Sequence, residues 1–220
     1  MSSRTTCTEW VDQLEQTLES FDEAGGHRVL SQVFTELALE DALSDVVLPY
    51  LHAMGARWSE GAIGVAQEHF ASNVLRSRLS LLMNSEARTE GALAVLACMP
   101  DEHHEFGLMA MALALSRLGW RTCYLGADTP IAELATTCLT LQPEAVVLAA
   151  HRDTAFEVHG PALRLIAASA PLHIAGPGAT DDVGELCHAS YLDGDPVRAA
   201  RALHEELGGT RPDLDAPSAV

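Results

Sequence analysis

Beyond residue 88, short apolar runs alternate with helical stretches, and this alternation constrains the fold more than any other feature of the sequence. Ala92 to Met99 reads ALAVLACM and stops at Pro100. Arg121 to Leu125 closes at Gly126, Ala145 to Ala150 reads AVVLAA, and Leu172 to Ala175 closes at Gly176-Pro177-Gly178. A last short run surrounds Tyr191. Helical patterns over 105–118, 131–141, 161–169 and 196–207 separate these runs, with a short helix before Tyr191. Strands that are apolar on both faces are covered on both sides, and strands alternating with helices form a doubly wound parallel sheet. The expected fold of this part is therefore α/β, of the flavodoxin or Rossmann-like kind. Ligands of such sheets sit at the carboxyl ends of the strands, so a site is expected in loops 100–107, 126–130, 149–160 and 176–180.

The preceding residues have a helical period. Trp10, Leu14, Leu18 and Phe21 share one helical face, and Gly25-Gly26 is expected to break that helix. Val29, Leu30, Val33, Phe34 and Leu37 form a second pattern. Leu43, Val46, Val47, Tyr50, Leu51 and Met54 form a third, with Pro49 inside it as an expected kink or interruption. A fourth runs over 62–84. Four amphipathic helices with short connections predict an antiparallel bundle. The domain plan is thus a helical bundle over 1–88 and a sheet domain over 89–207. The Gly/Pro/Asp-rich tail at 208–220 is expected to be disordered.

Thirteen Lys+Arg oppose 31 Asp+Glu, a net charge of −18 with histidines neutral. So acidic a surface repels phosphate backbones and anionic headgroups, which argues against direct nucleic-acid or membrane partners. The sequence has no apolar run near the ~20 residues that a spanning helix needs, and Met1 to Trp10 shows no signal-peptide pattern. Five scattered cysteines without a CxxC pair read as reduced thiols. The expected location is cytoplasmic.

Loop 100–107 carries the densest chemistry: Asp101, Glu102, His103, His104 and Glu105 stand in a row directly after the first strand. A single histidine there is more often structural. A carboxylate two residues before His104 changes the balance, because it can accept the proton of one ring nitrogen, fix the tautomer and leave the other nitrogen to bind a metal. A zinc site on His103, His104 and nearby carboxylates is one reading of this cluster. There is no Gly-x-Gly-x-x-Gly after the first strand to hold a dinucleotide. No nucleophile–base arrangement stands out, so the chain is read as a non-enzyme.

Glu102-x-His104-x-x-Gly107 after the first strand resembles the base-off/His-on cobalamin-binding signature. Gly119-Trp120-Arg121 and the run Tyr124-Leu125-Gly126-Ala127-Asp128-Thr129-Pro130 are similar to the segment downstream of that signature in cobalamin proteins. Trp58, then nine residues, then Glu68-His69 in a helical bundle resembles the cobalamin-binding photoreceptor family of the CarH and LitR type. The resemblance spans roughly residues 25–207. It implies adenosylcobalamin held between bundle and sheet domain, with His104 as the lower axial cobalt ligand and Glu102 as its hydrogen-bond partner. It also implies that Gly107 admits the corrin, that Gly126, Asp128 and Thr129 lie in the cofactor-binding loops, and that Trp58, Glu68 and His69 line the cavity of the upper axial group. Light-driven cobalt–carbon cleavage would then change conformation and oligomeric state.

The departures from that family are as informative. That family carries an N-terminal helix-turn-helix DNA-binding domain, whereas this sequence opens on the bundle pattern and is strongly acidic, so it is not expected to act as a repressor by itself. Ser59 stands where the family places a histidine after the capping tryptophan, and His52 and His69 are the substitutes for a light-state ligand. Ala149-Ala150-His151 replaces the family's Ser-x-Leu at the tail pocket, and Gly176-Pro177, with Gly178 next, replaces its glycine pair. Relatives without the DNA-binding domain include proteins that also bind a bilin. On that likeness biliverdin is a candidate second chromophore, with His52, Arg57, His151, Arg152 and His159 as its candidate contacts. The expected partners are a second copy of the chain, with a dimer favoured, and a downstream protein. The alternative function is a corrinoid carrier protein for methyl transfer. Glu102 and the missing serine weigh against it, since such carriers usually keep Asp and Ser-x-Leu there.

Overall fold

The computed structural model describes residues 6–207. The tail at 208–220 and its expected disorder lie outside the described residues. The chain divides into two compact units between Ser85 and Glu86.

The first unit is helical: α1 (Cys7–Glu19), α2 (Glu23–Glu36), α3 (Leu39–Ala42), a π-helical turn (Leu43–Val47), α4 (Leu48–Ser59) and α5 (Val65–Ser85). Thr6 and Glu9 form a reciprocal capping box that satisfies two free N–H groups at the start of α1. Trp10, Leu14 and Leu18 are buried as their spacing predicts, but Phe21 is not. It adopts a left-handed φ of 60° just after α1 and lies exposed, its ring edge-on to Phe70 at 5.3 Å.

The chain turns at Ser20–Asp22, not at Gly25-Gly26. Asp22 caps α2 by accepting the Gly25 N–H at 2.8 Å, and both glycines lie inside the helix. They are there for close packing: a Cβ on Gly26 would come within 2.5 Å of Leu18 Cδ2. Pro49 does not interrupt its helix either. The π-helical turn before it widens the ladder, with the Leu48 N–H reaching back to the Leu43 carbonyl, and α4 starts with the proline in its first turn, where no N–H is required. Arg57 of α4 ties this helix to α1 by meeting Glu15 at 2.8 Å and Glu19 at 2.7 Å.

The second unit is a five-stranded parallel sheet in the order β2-β1-β3-β4-β5. Its elements are β1 (Leu93–Cys98), α6 (Phe106–Arg117), β2 (Arg121–Gly126), α7 (Ile131–Leu141), β3 (Ala145–Ala149), α8 (Asp153–Ala167), β4 (Leu172–Ala175), α9 (Asp181–Cys187), β5 (Ser190–Tyr191) and α10 (Pro196–Glu206). The central strands β1 and β3 are buried along their whole length. One face of the sheet carries Val95, Ala97, Val146 and Leu148 into a core completed by Leu134 of α7, Phe156 and Leu163 of α8 and Val183 of α9. Between α6 and α10, Trp120 Nε1 donates to His204 Nδ1 at 3.0 Å, joining the turn after α6 to the last helix.

Helix α8 begins eight residues before its expected start. Pro161 looks like a helix opener but sits mid-helix. Glu157, whose carbonyl loses its donor, and Pro161 are both exposed, so that side of the helix is open to solvent and the break is tolerated. No helix among the described residues is long and apolar enough to cross a membrane.

Candidate functional site

The sheet order puts β1 between β2 and β3, so the loops after these three strands meet at one carboxyl edge. Glu102 is their junction. It is 7% exposed, a rare degree of burial for a carboxylate. Oε1 accepts the backbone N–H of His104 at 2.8 Å and lies 2.6 Å from His104 Nδ1. Oε2 accepts the backbone N–H of His151 at 2.6 Å. The Glu102 carbonyl in turn accepts the Asp128 N–H at 2.9 Å, and Asp128 Oδ1 accepts the Asp101 N–H at 2.9 Å. The side chains of Glu102 and Asp128 and one short backbone bond thus tie the β1, β2 and β3 loops together.

Burial by itself would raise the Glu102 carboxyl. The backbone donors of His104 and His151 and the ring of His104 outweigh it and hold the group below its ordinary value. Glu102 is therefore a carboxylate at neutral pH. A carboxylate only accepts, so the ring must offer N–H from Nδ1, and in the neutral imidazole the lone pair is then on Nε2. The His104 side chain is 76% exposed, and Nε2 has no partner among the described residues. This is the donor set of a metal-binding imidazole oriented by a carboxylate. It fits an axial cobalt ligand. His103 is exposed and its carbonyl only receives the Glu105 N–H. Among the described residues no group of three or more His, Cys, Asp or Glu could hold a metal ion, so the zinc site considered on His103, His104 and their neighbours does not assemble.

The other expected residues of the sheet unit lie around this junction. Thr129 is buried, with its hydroxyl donating to the Gly126 carbonyl at 3.2 Å and its N–H to the Cys98 carbonyl. It shapes the β2 loop from within. Asp128 has a left-handed φ of 49° and Gly126 one of 82°, so the loop turns sharply here. Gly107 opens α6. A Cβ there would make only an ordinary contact, 3.5 Å from Pro196, so the fold itself does not demand glycine. Gly176 is different: at φ 90°, a Cβ would lie 2.7 Å from the Ala150 carbonyl oxygen. A Cβ on Gly178 would likewise strike the Arg152 backbone. These two glycines let the β4 loop press against the β3 loop. Ala149 ends β3, buried, its carbonyl accepting the Met99 N–H.

In the helical unit, Trp58 lies in the last turn of α4, half-exposed, and is not a core aromatic. Ser59 comes next, with its hydroxyl turned back to the Ala56 carbonyl at 2.7 Å. Glu68 and His69 lie near the start of α5. Glu68 accepts the Ser72 hydroxyl at 2.7 Å and stands 3.5 Å from His69 Nε2, while the His69 side chain is largely exposed. Of the candidate bilin contacts, Arg57 is already committed to Glu15 and Glu19. His151 and Arg152 lie side by side in the β3 loop, and His159 lies about two turns along α8.

The structure also shows contacts between these loops that no sequence spacing records. Tyr124 donates its hydroxyl to Glu105 Oε2 at 2.8 Å, bridging β2 to the start of α6. Asp101, at a left-handed φ of 62°, holds the loop end against Asp128. Cys98 lies buried at the end of β1, and burial pushes its thiol up to about 12, so it stays neutral. The ring of His151 lies on that of His104, centroids 5.0 Å apart and planes tilted by 34°.

Comparison with known proteins adds three findings. Residues 10–83, in the helical unit, match the model of a family described as B12 binding domain. The chain is 35% identical over 139 residues to the HTH-type transcriptional repressor CarH of Myxococcus xanthus, covering 63% of this chain and 46% of that protein. It is 38% identical over 131 residues to the HTH-type transcriptional repressor CarA of the same organism, covering 59% and 44%. The chain therefore spans less than half the length of these relatives. Among solved structures, the Methanosarcina barkeri monomethylamine corrinoid protein superposes with a TM-score of 0.76 at 15% identity, covering 91% of this chain and all of that one. This last likeness shows a shared fold, a helical region and then the parallel sheet. The helical unit is thus similar to a B12 binding domain, and the chain is similar to part of CarH and of CarA.

Proposed function

We propose that this chain is a cobalamin-dependent light sensor that takes adenosylcobalamin with His104 as the lower axial ligand and is not itself an enzyme. The observation that carries the reading is the buried Glu102 carboxylate, which accepts Nδ1–H of His104 and leaves Nε2 free at the carboxyl edge of the sheet. Bound adenosylcobalamin would supply a cobalt–carbon bond that light can split. The chain's own residues do the rest. Glu102 fixes the tautomer of His104 and raises the basicity of Nε2. Gly107 keeps the first turn of α6 low enough for a flat macrocycle to approach. The half-exposed Trp58 and the Glu68-His69 pair are the candidates to surround the upper axial group. Ser59, its hydroxyl bonded within α4, offers no imidazole there, so His52 or His69 is the candidate light-state ligand.

The light-sensing part of the proposal draws on the Trp58/Glu68-His69 arrangement and on the identity to CarH and CarA. A signal leaving this domain would pass through a change in self-association, with a dimer favoured, and on to a downstream protein. Biliverdin is the proposed second chromophore, with His52, His151, Arg152 and His159 as its candidate contacts, since Arg57 is engaged by Glu15 and Glu19.

The test is an absorption spectrum of protein reconstituted in the dark with adenosylcobalamin, with and without biliverdin, before and after green and red light. A bound corrin spectrum that changes on illumination supports the sensor, and red bands that shift with light bring in the bilin. A bound corrin that yields no photoproduct distinct from that of free cobalamin turns the assignment to a corrinoid carrier.

A further inference from the structure

A hydrogen bond at Nδ1 fixes the tautomer of His104 but not the tilt of its ring. The ring is 76% exposed, and a single bond at one corner leaves it free to rock about that bond. The other constraint visible in the structure is the imidazole of His151, 5.0 Å away centroid to centroid, within the range of aromatic pairs. His151 is distant from His104 in sequence and arrives through the pairing of β1 with β3.

The backbone beneath that ring is unusually well held. The His151 N–H donates to Glu102 Oε2 at 2.6 Å. Ala150, one residue earlier, donates to the Ala175 carbonyl at 3.3 Å and accepts the Gly178 N–H at 3.0 Å. Gly176 and Gly178 press against Ala150 and Arg152 so closely that neither has room for a Cβ. The His151 ring thus stands on a fixed base, and the same carboxylate that orients His104 also anchors that base.

We infer that His151 is a positioning residue: its ring packs against the imidazole of His104 and holds Nε2 at the angle from which it binds the axial metal. The inference rests on the cobalamin reading for its purpose, but not for its geometry, and the two can be tested apart. His151 acts through its ring face, so a phenylalanine can replace it. The bond to Glu102 comes from the main chain, so no side-chain substitution removes it.

The experiment compares wild type, His151→Ala and His151→Phe, each first shown by its backbone amide spectrum to be folded. In the cofactor-free protein, long-range proton–nitrogen NMR spectra report the His104 ring. In wild type and His151→Phe one set of sharp His104 signals with Nδ1 protonated is expected. In His151→Ala these signals shift or broaden. Titration with adenosylcobalamin in the dark is expected to show affinity falling about three- to ten-fold in His151→Ala and recovering in His151→Phe. His104 signals unchanged by His151→Ala overturn the inference, even if corrin affinity falls, because His151 would then act on the cofactor directly. Failure of His151→Phe to restore the signals also overturns it. If wild type binds no corrin, the cobalamin reading fails, and the NMR comparison still decides whether His151 positions His104.

Discussion

The Glu102 carboxylate lies 2.6 Å from Nδ1 of His104, although only one residue separates them in the chain. A glutamate two residues from its partner can reach back only if the intervening backbone folds over it, and the His104 N–H, donating to the same oxygen at 2.8 Å, shows that it does. The pair is therefore a property of the loop's conformation, and Asp128 on one side and His151 on the other secure that conformation.

Glu102→Gln replaces an acceptor of three N–H groups by an amide that must turn donor hydrogens toward at least one of them. It should destabilise the protein by about 1–3 kcal/mol, the cost of a buried group left without its partner. Corrin affinity should fall about 10–100-fold as the tautomer of His104 is released. Chemical denaturation and cofactor titration, run separately, check the two effects.

Glu102 also predicts an acid dependence. Its folded value lies below its ordinary one, so its contribution to stability is complete above the ordinary carboxylate range and is lost as pH falls through the folded value. Wild type should lose stability on acidification from about pH 5 downward. Glu102→Gln should show a shallower loss over the same range, measured by denaturation midpoints.

His173 gives a second pH dependence of a different origin. It lies in β4, 1% exposed, with neither ring nitrogen hydrogen-bonded and Glu206 3.9 Å away. Burial lowers its protonation range more than Glu206 raises it. The neutral form is therefore the folded one. Stability is full above the ordinary histidine value, near 6.5, and declines as pH falls below it, because the unfolded chain takes up the proton first. His173→Leu should remove that decline and leave the protein at least as stable as wild type at about pH 5.5, in thermal melts from there up to about pH 7.5.

Two glycines should respond in opposite ways. Gly176→Ala puts a Cβ against the Ala150 carbonyl at a left-handed φ and should cost about 1–3 kcal/mol or more. Gly107→Ala meets nothing closer than 3.5 Å and should leave the melting temperature unchanged or slightly raised. Its effect should appear in corrin titration, as weaker binding by a normally folded protein. Unaltered affinity would remove Gly107 from the site.

Arg57 sits between Glu15 and Glu19 with about a third of its side chain exposed. Arg57→Met should destabilise the protein by about 1 kcal/mol, a modest figure because solvent screens the pair. The difference from wild type should shrink in high salt, as read by urea denaturation.

Local patterns were the most legible part of the sequence. The period of 131–141 fixes α7 to the residue, because an amphipathic face between a proline and a polar exit leaves no other reading. Punctuating residues misled. Pro161 lies inside α8, Pro49 comes after a π-helical turn, and Gly25-Gly26 belongs to a helix interior where Leu18 and Asp22 leave no space for side chains. Glycine and proline report a local constraint, and only packing reveals which one.

The site divides along the same line. Glu102 and His104 are close in sequence, so their pairing could be read from spacing and chemistry. The meeting of His151 with His104, of Asp101 with Asp128 and of Tyr124 with Glu105 depends on the strand order β2-β1-β3, which no spacing records. Likewise the exposure of Trp58, which sets it apart from a core aromatic, comes from its place in the last turn of α4.

The most direct measurement asks which nitrogen lies below the cobalt. The protein is prepared with histidine carrying ¹⁵N, loaded with unlabelled cobalamin, reduced to the cobalt(II) form and studied by electron paramagnetic resonance. If His104 is the axial ligand, the nitrogen splitting changes from a triplet in unlabelled protein to a doublet in labelled protein, and His104→Ala abolishes the doublet. A triplet that persists in the labelled protein would mean that the cofactor's own base still holds the cobalt, and would contradict the assignment of His104.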